Sequence, residues 1–268
     1  MADVGSQNSL WPSSLHLYNL TLVTAMENLA LDDALLALVD QDPNAACLRF
    51  WEPHDYSVVL GRSNQAESEL RLDACLAEGI PVLRRTSGGG TVIAGPGCLC
   101  YTLVLPLTDQ LRSMGITRVT AELMERTANG LRILLPEIAV CGTSDLVWNN
   151  QKFSGNAQRW LRRAFVHHGT LLHHFDLTKF ASFLAHPKRE PEYRRSRPHA
   201  EFVTNLPVDR VTLQDVVSKS WNAISSTCPA HVLDDARQIA ATRLSSQEWS
   251  IRATGNATGD PTKFVNDK

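Results

Sequence analysis

The sequence lacks the features of a membrane or exported protein. No apolar run approaches the roughly 18 consecutive residues that a membrane helix needs. The first 15 residues have neither the basic start nor the apolar stretch of a secretory signal, and they contain no arginine, which a mitochondrial transit peptide would have. We therefore expect a cytoplasmic protein with no membrane partner.

A strong net charge and paired cysteine motifs are also missing. The 268 residues carry a formal net charge of -2, which gives no electrostatic reason to expect nucleic acid as a partner. The six cysteines include no C-x-x-C pair, so we expect reduced, mostly buried thiols. Lysine is scarce beside abundant arginine, which makes a lysine within a motif more informative.

The chain is long enough for one large core, or for one core with a small appendage. Composition and pattern divide it into four parts. We predict a lead-in over 1–23, a main domain over 24–206, a short helical extension over 207–252 and a disordered tail over 253–268.

Apolar periodicity predicts more strands than helices, several of them joined by tight turns. Thr24 and Glu27 form the capping box of a first helix. The predicted helices cover 24–39, 66–78, 117–135, 177–184, 213–224 and 233–244. The predicted strands cover 46–51, 56–61, 98–105, 138–141, 145–148, 152–154 and 165–173, with an irregular surface loop at 186–202. This pattern favours an α+β fold with a mixed, largely antiparallel sheet flanked by helices.

The most informative stretch is a glycine-rich loop. Arg84 and Arg85 precede Ser87 and three consecutive glycines, Gly88–Gly90. Bare backbone N–H groups beside arginine side chains suit phosphate or carboxylate oxygens. A hairpin turn with an incidental basic flank is the alternative. No Gly-Lys-Ser/Thr follows, as a Walker loop requires, and the next residues continue as a strand, unlike a dinucleotide-binding fingerprint.

A second cluster contains Lys152, Ser154 and Gly155. A single lysine just before Ser-Gly at a strand end resembles a positioned point charge. The alternative is an exposed strand residue that follows the Asn149-Asn150 turn.

Two further clusters carry possible chemistry. His167 and His168 precede Gly-Thr, but adjacent strand residues point to opposite faces and could not share one metal ion, so we expect one buried histidine and one facing a cleft. The next pair, His173-His174, is expected to be exposed. Cys141 is a thiol near Asp145, for which a buried structural role is the simpler interpretation.

In this order, the clusters resemble the lipoate–protein ligase family, relatives of biotin protein ligases and octanoyltransferases. The resemblance rests on Arg-Arg-x-Ser-Gly-Gly-Gly, on the Asp145-Leu146-Val147 strand, on Lys152-x-Ser-Gly and on His-His-Gly-Thr-Leu-Leu from His167. Leu48-Arg49-Phe50-Trp51 and Val59-Leu60-Gly61-Arg62 also look like the early strands of that family. The resemblance spans about 24–206. It implies a mixed sheet with helices on one side, lipoate as substrate, ATP and Mg²⁺, and an acyl-adenylate held in a cleft.

The resemblance also implies roles. Lys152 would hold the carbonyl and phosphate oxygens, Arg85 would pair with phosphate, and Asp145 would serve the metal or the nucleotide. Val92, Ile93 and Leu171 would be walls for the acyl tail. The expected binding residues are Arg85, Ser87, Gly88, Gly89, Gly90, Thr91, Val92, Ile93, Asp145, Ser154, Gly155, His168, Gly169 and Thr170.

The implied acceptor is a lysine of a lipoyl domain, of the 2-oxoacid dehydrogenase E2 or glycine-cleavage H protein type. Only some 60 residues follow the main domain, so either the short extension suffices for adenylation or a partner subunit assists. The family's His-Asp pair and Asn after the glycines are replaced by Ala94-Gly95-Pro96-Gly97-Cys98, which leaves the acyl specificity open. A basic group in the 186–202 loop either steers acceptor docking or is simply solvated: Lys188, Arg189, Arg194, Arg195 and Arg197.

Two alternatives compete with the ligase. One is an ATP-independent octanoyl or lipoyl transferase with Cys141 as acyl-thioester nucleophile. The other is a non-catalytic binder of lipoate or acyl-adenylate. The third glycine, Gly90, favours the ligase over the transferase, and the presence of Lys152 with the glycine loop argues against the binder.

Overall fold

The computed structural model describes residues 10–186, 190–246 and 248–251. Its strands are β1 (Leu15–Asn19), β2 (Cys47–Trp51), β3 (Ser57–Leu60), β4 (Val82–Arg84), β5 (Val92–Ala94), β6 (Cys98–Pro106), β7 (Ala139–Cys141), β8 (Asp145–Trp148), β9 (Gln151–Trp160), β10 (Ala164–Leu172), β11 (Ala223–Ser225) and β12 (Ser250–Ile251). Its helices are α1 (Ala25–Gln41), α2 (Ala66–Glu69), α3 (Leu72–Ala77), α4 (Asp109–Leu131), α5 (Thr178–Phe183), α6 (His199–Phe202), α7 (Arg210–Ser220) and α8 (Ala230–Leu244).

Two sheets form the scaffold. The large sheet has eight strands in the order β11-β1-β2-β6-β10-β9-β8-β7, and the small one has four in the order β12-β4-β3-β5. β1 runs parallel to both of its neighbours and β3 runs parallel to β4. The other pairs are antiparallel. The expected α+β fold with a mixed, largely antiparallel sheet is confirmed, although a second sheet was not expected.

Apolar side chains alternate along β6 and divide the core into two clusters. Tyr101, Leu103 and Leu105 join a cluster with residues of α4 and α7. Cys98, Cys100 and Val104 join the other cluster, with residues of α1, α8 and the small sheet. Helices therefore cover both faces of the large sheet, and the expectation of helices on one side is wrong.

The first helix begins as its sequence predicts. Thr24 accepts a hydrogen bond from the Glu27 backbone N–H, and Glu27 accepts one from the Thr24 backbone N–H, which completes the capping box. α1 also buries two polar residues, Asn28 and Asp32, both of which bond to Arg49 on β2. The helix is thus fixed on the sheet by a buried polar contact as well as by apolar packing.

Three predicted helices differ from the structure. The helix expected over 66–78 is two short helices, because Leu70 leaves the helix to form a β-bridge with Leu184. The helix expected over 117–135 spans 109–131, with Thr108 as its cap and Gly115 outside helical geometry. The helix expected over 213–224 ends at Ser220, because the following residues pair with β1 as β11.

The segment expected to be an irregular surface loop, 186–202, includes regular elements and buried side chains. It contains a 3₁₀ turn at 192–194 and α6, with Arg194 and Phe202 buried. Lys188 and Arg189 lie outside the described residues, as does the tail expected over 253–268. The lead-in expected over 1–23 contains β1, and β11 lies beyond residue 206, so the large sheet crosses both predicted limits of the main domain. None of the described helices is long and apolar enough to cross a membrane.

Candidate active site

A cavity of about 210 Å³ lies between the two sheets and brings the sequence clusters together. Its lining includes Asp32 of α1, which accepts a hydrogen bond from Thr102 of β6, and Asp145 of β8. The expected site residues that line it are Arg85, Gly89, Gly90, Thr91, Val92, Asp145, Lys152, Gly155, His168, Gly169 and Thr170. Segments that are distant in sequence therefore converge on one site.

Some expected residues lie elsewhere. Leu171 is buried in the core on the opposite face of the large sheet, so its prediction as a wall is wrong. Ile93 and Ser154 line a second cavity of about 110 Å³, which shares Lys152 and Gly155 with the first. Gly88 does not line the first cavity, and it has open space where a side chain would begin.

Lys152 is held in place by an acidic partner. Its Nζ lies 2.7 Å from Asp145 Oδ1, while the Tyr193 hydroxyl donates to Asp145 Oδ2 at 2.8 Å. Burial and the Asp145 charge raise the pKa of Tyr193, so its hydroxyl keeps its proton and remains a donor. A Cβ on Gly155 would lie 2.9 Å from both Cε and Nζ of Lys152, so a side chain at this position would displace the ammonium from its present place.

Arg85 shapes the glycine loop. Its Nη2 donates to the carbonyls of Gly88 at 2.6 Å and Gly90 at 2.7 Å, and its Nη1 donates to Val59 O at 3.2 Å. The side chain is buried, and this burial lowers the pKa of Arg85 to about 10. In this structure Arg85 thus folds the loop around itself. Gly89 supports the turn with a φ of 85°, a conformation that favours glycine.

A hydrogen-bonded chain connects this loop to α1. Arg85 Nε donates to Ser87 Oγ at 3.0 Å, Ser87 Oγ lies 2.6 Å from His168 Nε2, and His168 Nδ1 lies 3.3 Å from Asp32 Oδ2. Burial alone would raise the pKa of Asp32, but the His168 hydrogen bond and the Arg49 charge outweigh it, so the pKa is lowered.

The ionised Asp32 fixes the proton positions in that chain. Because the carboxylate can only accept, His168 Nδ1 carries a proton. In neutral His168, Nε2 then accepts from the Ser87 hydroxyl, which itself accepts from Arg85. His168 faces the cavity, as one histidine of the pair was expected to do.

The other histidines have different environments. His167 is fully buried between Gln158 and Tyr101, and burial, with a smaller effect of His168, lowers the pKa of His167 to about 3. The expectation of one buried and one cleft-facing histidine is confirmed. His173 was expected to be exposed, which is wrong, because its Nε2 lies 3.1 Å from Glu52 Oε2 in a largely buried pair.

Sequence reasoning missed the acidic and aromatic residues behind the site. Asp32 and Arg49 form a buried ion pair at 2.7 Å. The signal was present, because Arg49 lies in an apolar strand and the Asp32-Asp33 pair has apolar residues on both sides. Tyr193 carried no comparable signal, and neither did Asn156. The Asn156 side chain accepts a hydrogen bond from the Tyr101 hydroxyl at Oδ1 and donates one from Nδ2 to Ser144 O.

Cys141 does not have the environment of a nucleophile. It lies on β7, is partly exposed and does not line the cavity that contains Lys152. Burial, followed by the charge of Asp145, raises its pKa, which disfavours the thiolate. The expectation of mostly buried free cysteines is confirmed for the other five, whereas the buried role proposed for Cys141 is wrong.

The described residues contain no group of three or more His, Cys, Asp or Glu side chains that could hold a metal ion. A Mg²⁺ that accompanies a nucleotide needs only one or two protein carboxylates beside the phosphates. Asp145 offers such a carboxylate in the cavity, although both of its oxygens already have protein partners. Its role toward a metal stays a prediction.

Residues 24–224 match the model of the lipoyl protein ligase A/B catalytic domain. The chain belongs to this family. The match begins where residues 24–206 were predicted to begin and extends past their end into β11. The members of the family therefore provide the relevant comparisons.

Similar proteins include ligases of two sizes. The chain is 28% identical over 245 residues to lipoate-protein ligase A subunit 1 of Thermoplasma acidophilum, with 84% of this chain and 91% of that protein covered. It is 30% identical over 157 residues to a probable lipoate-protein ligase A of Mycoplasma genitalium, with 59% of this chain covered. The matched region is only 45% of that relative's length, so the chain spans about half of some relatives that it matches.

A solved structure supports the same relationship. A chain from a study of a bi-partite lipoate protein ligase and its E2 lipoyl domain from Thermoplasma acidophilum matches with a TM-score of 0.77 and 26% identity. The match covers 88% of this chain and 95% of that one. A lipoate-protein ligase A bound with ATP shares the fold, with a TM-score of 0.74 at 24% identity.

Proposed function

We propose that the protein is an ATP-dependent lipoate–protein ligase. The observation that carries this proposal is the placement of the Lys152 ammonium in one cavity with the glycine loop, between Asp145 and Gly155. Family membership and the likeness to subunit 1 of the Thermoplasma acidophilum ligase support it. The cavity provides a fixed positive charge and bare backbone beside it, which an anionic acyl-adenylate requires.

The reaction has two steps. The lipoate carboxylate oxygen attacks the α-phosphorus of ATP, the bond to the bridging oxygen breaks, and pyrophosphate leaves. An unprotonated acceptor lysine amine then attacks the carbonyl carbon, AMP leaves with its phosphate oxygen, and the amine loses a proton to form the amide. Lys152 stabilises the negative charge that develops on the phosphate and carbonyl oxygens in both steps. Mg²⁺ would neutralise the departing pyrophosphate, with Asp145 as its candidate carboxylate.

The partner is a lipoyl domain that presents its lysine at the cavity. The bi-partite ligase of Thermoplasma acidophilum was studied with an E2 lipoyl domain, and this chain covers 95% of the matching chain. A second subunit is needed for adenylation only if the last described elements of this chain do not support the glycine loop. Arg194 cannot serve in docking, because it is buried and its Nε lies 3.3 Å from Glu190 Oε2.

A cytoplasmic location is supported by the six free thiols.

Pyrophosphate release tests the adenylation step. Purified protein with ATP and Mg²⁺ should release pyrophosphate only when lipoate is added. Octanoate and biotin, supplied separately, would establish the acyl specificity left open by residues 94–98. Release that does not depend on any added acid would argue against an acyl-adenylate-forming enzyme.

The transferase alternative has no supporting geometry, because Cys141 lies outside the cavity and its thiol is not activated. A non-catalytic binder would bind lipoate or acyl-adenylate without turnover, so pyrophosphate release distinguishes it from the ligase.

A further inference from the structure

The last described elements of the chain contact the residues on both sides of Arg85. We define the C-terminal brace as residues 243–246 and 248–251, the end of α8 together with β12. On the N-terminal side of Arg85, the Arg84 backbone N–H donates to Trp249 O at 3.0 Å, and Arg84 Nε donates to Glu248 O at 2.9 Å. β12 also pairs with β4, the strand that leads into the glycine loop.

A second link reaches the residue after Arg85. Thr86 Oγ1 donates to Asp33 Oδ1 at 2.5 Å, and Arg243 Nη1 bonds Asp33 Oδ2 at 2.6 Å. The Arg243 and Asp33 side chains are only 13% and 11% exposed. Asp33 therefore joins the brace to the loop in a largely buried setting, where charge pairs are screened less than on the surface, and Arg159 Nη1 lies farther from the same carboxylate, at 3.4 Å.

Trp249 connects the brace to a third segment, the residues that follow β3. The centroid of its ring lies 4.5 Å from Cζ of Arg243 and 4.8 Å from Cζ of Arg62. The backbone N–H of Arg62 in turn donates to Ser87 O at 2.9 Å. The brace thus fixes the glycine loop at Arg84, at Thr86 and, through Arg62, at Ser87.

We propose that the C-terminal brace holds the glycine loop, folded around Arg85, in position for the nucleotide, with Arg243 and Trp249 as positioning residues of adenylation. This inference rests on the proposed function. A glycine-rich loop loses much backbone entropy when it is ordered, so a ligand binds more tightly to a loop that is already folded. The brace supplies that order within this chain. The brace therefore supports adenylation from within the chain, a role for which a separate partner subunit was the alternative.

The test compares two arginines on α8. Arg243→Gln removes the link to Asp33. Arg237→Gln is the matched control, because Arg237 forms an ion pair with Asp234 on the same helix while both side chains are exposed. Thr86→Val removes the same link from the loop side. Because both changes act through Asp33, the double variant should lose less than the sum of the two single effects.

The first measurement is hydrogen exchange without ligand. The backbone N–H groups of Arg62, Arg84 and Arg85 donate to Ser87 O, Trp249 O and Leu60 O, so their exchange reports on the loop. Arg243→Gln and Thr86→Val should exchange faster in peptides that cover 60–64 and 82–91, whereas Arg237→Gln should match the parent. Unchanged exchange in both folded link variants would overturn the inference.

The second measurement is kinetic. The KM for ATP in pyrophosphate release should rise roughly fivefold or more in Arg243→Gln, with a smaller change in kcat and with no change in Arg237→Gln. An equal rise in both variants would overturn a specific role for the brace. If the parent releases no pyrophosphate, the proposed function fails, while the exchange result still decides whether the brace orders the loop.

Discussion

Lys152 is the residue on which the proposed chemistry depends most. Its ammonium is held by Asp145 over Gly155, and its side chain is 29% exposed. Lys152→Ala should abolish acceptor modification in a variant that still folds, because no ammonium then stabilises the charge on the phosphate and carbonyl oxygens. Lys152→Arg should fail as well, because a planar guanidinium does not fit the space of a point charge above Gly155. Near-normal modification by either folded variant would remove Lys152 from the mechanism.

Tyr193 orients the Asp145 carboxylate that binds Lys152. Tyr193→Phe removes the hydroxyl that donates to Asp145 and keeps the ring against Phe202, at 5.3 Å between centroids. A hydrogen bond to a charged group contributes about 1.5–3 kcal/mol, so kcat should fall roughly tenfold or more. Tyr18→Phe on β1 is the control, since Tyr18 does not line the cavity that contains Lys152. Equal kcat in the two variants would show that the Tyr193 hydroxyl has no part in positioning.

Cys141 separates the ligase from the transferase. An adenylate route needs no thiol, so Cys141→Ser should retain ATP-dependent modification. The cost should be limited to stability, at most about 1–2 kcal/mol, because this side chain is partly exposed. Mass spectrometry should detect no acyl-enzyme in the parent. Loss of activity in the folded variant, together with ATP-independent transfer in the parent, would establish the thioester route.

At the scale of elements, α1 depends on the buried pair of Asp32 and Arg49. Since Asp32 has a folded-state pKa below its ordinary value of 3.8, it stabilises the protein above that pH, and this contribution is lost as the pH falls through the folded-state pKa. Asp32→Asn should lower the free energy of unfolding at pH 7 by about 3–5 kcal/mol, because it leaves Arg49 buried without its counter-charge.

Urea denaturation of both proteins checks this prediction. The difference between parent and Asp32→Asn should be largest near neutral pH and should narrow below about pH 4. Asp234→Asn, which removes an exposed partner of Arg237, should cost less than about 1 kcal/mol. A difference between parent and Asp32→Asn that does not change with pH would contradict an ionised Asp32 in the folded protein.

Elements with local signals were predictable, and elements that depend on distant partners were not. The capping box at Thr24 identified the start of α1, and apolar alternation identified β6 and β10. β12 and β11 were missed because each is only two or three residues long and exists through pairing with β4 or β1. The break between α2 and α3 likewise follows from the contact of Leu70 with Leu184.

In the molecule as a whole, the candidate site also combines residues with local signals and residues that depend on distant partners. The glycine loop, Lys152 and His168 carry their chemistry in short motifs, so the sequence identified them. Their supports come from elsewhere in the chain: Asp32 and Asp33 from α1, Tyr193 from the segment after α5, and the C-terminal brace. The charge of Asp32 is visible in the sequence, but the contacts of Asp32 and Asp33 depend on the packing of α1 and α8 on one face of the sheet, which no local pattern encodes.

The central claim is ATP-dependent attachment of lipoate to an acceptor lysine, and the mass of the acceptor tests it most directly. Purified protein is incubated with lipoate, Mg²⁺ and a lipoyl domain, with and without ATP, beside a lipoyl domain whose acceptor lysine is changed to arginine. A mass increase of one lipoyl group should appear only with ATP and only on the intact domain. A lipoyl domain that gains this mass equally well without ATP, or that never gains it while the protein releases no pyrophosphate, would contradict ATP-dependent ligation.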